Sequence, residues 1–117
     1  MRRTAHLVLV ASAVVAGAAC GSDPGDSPGA APPDGSALYS ANCAACHGTD
    51  LRGTLSGPSF LDPVYEPAST PDQSFRAAVD HGVLQKRWNF GAMAPVAGLD
   101  DDEVTAIIAF IRAGQQD

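Results

Sequence analysis

The chain has 117 residues, which allows one small domain at most. Seven Lys and Arg against 13 Asp and Glu give a net charge of −6. That balance argues against nucleic acid as a partner, since phosphates demand basic side chains, and weakly favours a positively charged docking partner.

The front end is not fold material. Arg2 and Arg3 supply a positive start, and Leu7 to Ala19 form an apolar run rich in Ala and Val. That run is too short to span a bilayer but fits the core of a signal peptide. Adjacent arginines could suggest the twin-arginine route, yet the residues after them do not continue that signal, so export unfolded is the simpler reading. The run closes at Cys20 in Val15-Ala-Gly-Ala-Ala-Cys20, which resembles a bacterial lipobox with Gly17 where the pattern prefers Leu. Ordinary signal-peptidase cleavage is the alternative. Cys20 is otherwise an odd thiol in an exported chain, so it is read as the acylated first residue of a lipoprotein. Two or more acyl chains suffice for stable anchoring, which places the protein on the periplasmic or other extracytoplasmic face of a bacterial membrane. Loss of residues 1–19 removes two of the seven basic residues and no acidic one, leaving a mature charge of −8.

After Cys20, the segment 20–34 holds Pro, Gly, Ser, Ala and Asp with almost no bulky apolar side chain, which reads as a flexible tether reaching roughly 20 to 45 Å. The domain proper is residues 35–117. A core that small usually needs a staple such as a disulfide, metal or cofactor. Three helices are predicted. The first runs from Ser36 to His47, with Leu38, Tyr39, Ala41 and Ala45 as packing residues. The second takes Thr70 as N-cap, Pro71 as first helical residue and Gln73 as partner in a capping box. It buries Phe75, Ala78 and Val79 and stops at Gly82, a left-handed C-cap. The third has Asp100 and Glu103 as a capping box, with Leu99 stapled to Val104. Val104, Ile107, Ile108 and Ile111 then form one buried stripe. Strand signals are scarce, so the fold class is all-α with long loops.

The chemistry lies in Cys43-Ala-Ala-Cys46-His47. Positions i, i+3 and i+4 share one helical face, so two thiols and an imidazole converge on one object. Covalent haem attachment needs this set: each thiol adds to a vinyl group while the imidazole reaches the iron. A thioredoxin-like dithiol would need a preceding strand in a βαβ context, and zinc would need a second ligand pair where only His81 is available. A plain Cys43–Cys46 disulfide explains neither His47 nor the thin core. For the second axial position, Met1 leaves with the signal, so Met93 is the remaining thioether. It lies in a Gly/Pro loop before the last helix. Against it stand a Met that merely fills the core and His81 as a rival ligand.

With these residues in view, Gly35 to Ala113 resembles a class I, mono-haem cytochrome c of the exported bacterial lipoprotein type. In that family a Gly and an aromatic four apart open the first helix, as Gly35 and Tyr39 do. An aliphatic and an aromatic three apart on the last helix cross it, matched by Ile107 and Phe110. Gly57-Pro58 resembles the Gly-Pro after the haem motif. The resemblance implies that the Pro58 carbonyl accepts the Nδ1–H of His47 and orients it. Many relatives carry Met-Pro, whereas Pro95 follows Met93 by two.

What the resemblance implies is a cytochrome c fold wrapped around one covalent haem c. Cys43 and Cys46 would hold it, with His47 and Met93 on the iron. Trp88, Arg52 and Tyr65 are candidates for contacts with its edge, although packing for Trp88 and solvated surface for the other two are the simpler readings. Lys86 and Arg87 read as a solvated basic turn. Iron with both axial positions filled suits electron transfer, and no nucleophile–base pair or acid–base dyad appears elsewhere. The expected function is therefore a single-electron carrier, with no independent enzymatic activity, between redox proteins such as membrane respiratory complexes. A relay subunit of an oxidase or dehydrogenase and a haem-based gas or redox sensor are the alternatives.

Overall fold

The computed structural model describes residues 31–116. The signal segment and Cys20 lie outside the described residues, as do residues 20–30 of the tether. The described part is all-α, as the sequence predicts: α1 (Gly35–Asn42), α2 (Ala44–His47), α3 (Asp72–His81) and α4 (Asp101–Gly114), with a 3-10 turn at Pro63–Tyr65. Isolated bridges at Thr54–Gly57 and Val83–Met93 stand in place of strands.

The first predicted helix is two pieces. Asp34 caps α1 by accepting the N–H groups of Ser36 and Ala37 at 3.0 and 3.1 Å. Cys43 leaves helical geometry (φ −122°, ψ −35°), and α2 restarts at Ala44. The kink turns the packing face: Ala44 is buried while Ala41 and Ala45, expected inside, are exposed.

α4 forms as predicted. Asp100 accepts from the Glu103 N–H at 2.8 Å and Glu103 accepts from the Asp100 N–H at 3.0 Å. Its stripe of Val104, Ile107, Ile108 and Ile111 is buried. The start of α3 is different. Its N-cap is Pro71, with no side-chain cap. The Thr70 hydroxyl instead donates to the Val64 carbonyl at 2.7 Å, so a loop contact takes the group that the capping box required.

The core sits where α1 packs on α4. Gly35 allows the approach, because a Cβ there would run into the Ala106 carbonyl. One turn on, Tyr39 is fully buried with its ring 5.1 Å from Phe110. Its hydroxyl donates to the Gly48 carbonyl at 2.7 Å, tying the helix crossing to the end of α2. Leu51 is buried at φ 64°, a backbone cost of roughly 1–2 kcal/mol that burial of its side chain offsets at roughly 1.5–3 kcal/mol.

Candidate functional site

α2 is a single turn, and it carries the motif. Because Cys43 ends α1 and caps α2, its thiol, the Cys46 thiol and the His47 ring all face one cavity of about 960 Å³. That volume lies at the upper end of ligand sites, which run roughly 300–1000 Å³. The cavity is mainly apolar, and the aliphatic stripe of α4 forms its floor. Cys43 is half-buried, Cys46 is exposed, and both thiols are free. Burial first, then the neighbouring Cys46, pushes the Cys43 thiol up.

His47 is held from three directions. Its Nδ1 lies 3.0 Å from the Pro58 carbonyl, which acts as acceptor only, so that nitrogen carries the proton. Its ring stacks on Phe60 at 4.2 Å and 19°. Its own carbonyl accepts from the Gly53 N–H at 2.8 Å. Burial lowers its pKa, with the Pro58 bond acting the other way. The imidazole is thus neutral at pH 7, and Nε2 is left with a lone pair to offer a metal. Gly57 lets the loop close over the motif: a Cβ there would lie 2.8 Å from the Cys46 carbonyl oxygen.

Met93 lines the same cavity from a loop. That loop runs from Val83 to Met93 and is closed at its base by two main-chain bonds, Val83 N–H to Met93 O at 2.9 Å and Met93 N–H to Val83 O at 2.8 Å. Gly82 (φ 71°) gives the Met93 carbonyl room, and Val96 N–H donates to Val79 O at 2.8 Å, fastening the outgoing strand of the loop to α3. His81 is exposed at the end of α3 and does not line the cavity.

The remaining candidates divide. Arg52 is a surface residue beside Asp50, 3.6 Å away, and does not reach the cavity. Lys86 and Arg87 are exposed, as expected, but stand on the cavity wall. Tyr65 is not the solvated surface residue expected. It is half-buried against Phe60 and Phe75, lines the cavity, and accepts the Trp88 Nε1–H at 3.1 Å. Phe60 was not foreseen, because a lone aromatic in an aperiodic loop leaves no pattern in the sequence.

A haem suits this cavity on the chemistry of its donors: two thiols, one neutral imidazole, one thioether and otherwise apolar walls. Cys43, Cys46 and His47 are the Cys, His, Asp or Glu residues on this cavity wall, one short of the four that a structural zinc takes. The dithiol reading lacks its strand among the described residues. Residues 33–115 match a protein-family model described as Cytochrome c. No curated protein and no solved structure matches the chain.

Proposed function

The chain belongs to the cytochrome c family, haem-binding electron carriers with covalently attached haem c, and from that premise we propose a carrier with one haem, ligated by His47 and Met93. Cys43 and Cys46 would form the thioethers. A haem so bound supplies one-electron oxidation and reduction at iron, and a sulfur ligand with an apolar surround raises the potential.

The chain's own part is to hold and to exclude. Pro58 fixes the tautomer and direction of His47, Phe60 fixes the plane of its ring, and the aliphatic floor of α4 would give the haem a dry face. The observation that carries the reading is the convergence of Cys43, Cys46, His47 and Met93 on one cavity, with His81 outside it. The test is spectroscopic. Protein matured in a competent host should keep its pigment through denaturing electrophoresis, and its ferric form should show the far-red band of a sulfur–iron bond. Met93→Ala should keep the pigment, lose that band and lower the potential by on the order of 0.1 V, within the roughly 0.8 V that axial ligands span. Pigment lost on denaturation, or a band that survives Met93→Ala, overturns the assignment.

Family members work as a rule outside the cytoplasm, and no helix among the described residues is long and apolar enough to cross a membrane. The proposed attachment is instead a lipid on Cys20, with residues 20–34 as tether and membrane respiratory redox proteins as donor and acceptor. Confinement beside them raises their effective concentration. Cys20→Ala should then release a spectrally normal protein from the membrane fraction, and retention there would sink the anchor.

A further inference from the structure

Arg112 sits in the last turn of α4, against the 60–72 loop and off the cavity wall, and only 12% of its side chain is exposed. Taking a guanidinium out of water is costly unless its donors are met, and here they are. Nη1 donates to the Tyr65 carbonyl at 2.6 Å and to Gln115 Oε1 at 2.9 Å. Nη2 donates to the Thr70 carbonyl at 2.6 Å, Nε donates to Asp72 Oδ1 at 2.9 Å, and the plane lies 4.8 Å over the Phe75 ring. Gln115 adds Nε2–H bonds to the carbonyls of Phe60 at 2.8 Å and Tyr65 at 3.0 Å. Apart from one 3-10 turn, this loop has no regular structure to satisfy its carbonyls. Arg112 of α4 and Gln115, the C-cap of that helix, do so at Phe60, Tyr65 and Thr70.

Tyr65 then carries the constraint across the cavity. Its hydroxyl accepts from Trp88, which lies midway along the Val83–Met93 loop. Among the described residues this is the only side-chain hydrogen bond joining the two loops. We infer that Arg112 is a positioning residue for Met93, acting through the 60–72 loop and the Tyr65–Trp88 bond. The inference rests on the haem-carrier reading only for its spectroscopic readout.

The test uses the full haem-loaded chain with Arg112→Lys, which keeps the charge but loses the planar fork. Amide hydrogen exchange at Val83 and Met93 should speed up about ten- to a hundredfold, the loss expected for charge-assisted bonds to carbonyls. Exchange at Ile107 and Ile108 in α4 should change several times less. The far-red band should weaken and carbon monoxide binding to the ferrous protein should quicken. Tyr65→Phe keeps the main-chain grip and removes only the acceptor. It should speed Val83 and Met93 exchange in the same direction and add little in combination with Arg112→Lys.

Equal acceleration at all four amides would reduce Arg112 to a general stabiliser and overturn the inference. So would parent-like exchange in Tyr65→Phe, which also decides the matter if Arg112→Lys does not accumulate. A parent protein without the far-red band would sink the Met93 assignment, while the exchange comparison still judges Arg112.

Discussion

The two sides of the cavity are built to different stiffness. On the His47 side the ligand ring is buried, stacked and hydrogen-bonded, and its motif is laced to the following loop. The Thr54 hydroxyl holds the Cys46 carbonyl at 2.7 Å, Gly57 packs on the same group, and Tyr39 holds Gly48. On the Met93 side an exposed loop is fixed at its base and, among the described residues, by one side-chain bond to the rest of the domain, and Leu84 within it is 75% exposed. Local opening costs least where buried contacts are few. The imidazole side is therefore over-determined and the sulfur side is tethered, so in a haem held as proposed ligand loss should start at sulfur.

Three substitutions can break or sharpen that contrast, here from the largest expected effect to the smallest. Gly57→Ala drives a Cβ at the Cys46 carbonyl and should cost about 1–3 kcal/mol by denaturant unfolding, with a lower yield of haem-loaded protein. Parent-like stability would mean that the His47 side is more compliant than its packing implies.

Tyr39→Phe removes the donor to Gly48 and should cost about 1–2 kcal/mol at neutral pH. It should also change the alkaline limb. Burial above all raises the Tyr39 pKa above its ordinary 10.0, so the unfolded phenol loses its proton first. That contribution is whole below pH 10 and falls as pH rises beyond it. Unfolding measured from pH 9 to 11 should therefore slope less steeply in Tyr39→Phe than in the parent, and parallel curves would refute the assignment.

Gln85→Ala removes an exposed bond to Asn89, 3.1 Å long, within the Met93 loop and should cost about 0.5 kcal/mol or less. A cost matching that of Tyr39→Phe would erase the difference between the sides.

What the sequence disclosed follows from the range of each interaction. Asp100 with Glu103, and the aliphatic stripe after them, act within one helix, so α4 could be read directly. The all-α class is equally local, whereas Cys43 joins Cys46 and His47 on the cavity wall from a break between two helices and not from one helical face. Thr70 misled because a distant carbonyl, that of Val64, competes for its hydroxyl. The break at Cys43 reversed the roles of Ala44 and Ala45 for the same reason: packing of the domain, and not helical period, sets the face. The base of the Met93 loop is made of main-chain groups, which have no residue signature. The grip of Arg112 spans 42 to 47 residues to the carbonyls of Thr70 and Tyr65, and no spacing rule reaches that far.

The paired bonds between Val83 and Met93 have a consequence for how this protein can be altered. A segment clamped at its neck by peptide groups passes little of its own length on to the clamp. Closing a longer ring costs only about 0.6 kcal/mol for each doubling. Extra residues spliced between Leu84 and Lys86, upstream of Trp88, would swell the ring outward while the Trp88–Met93 stretch keeps its length and the sulfur its station. This stretch is a natural place to graft a recognition peptide beside the proposed haem site.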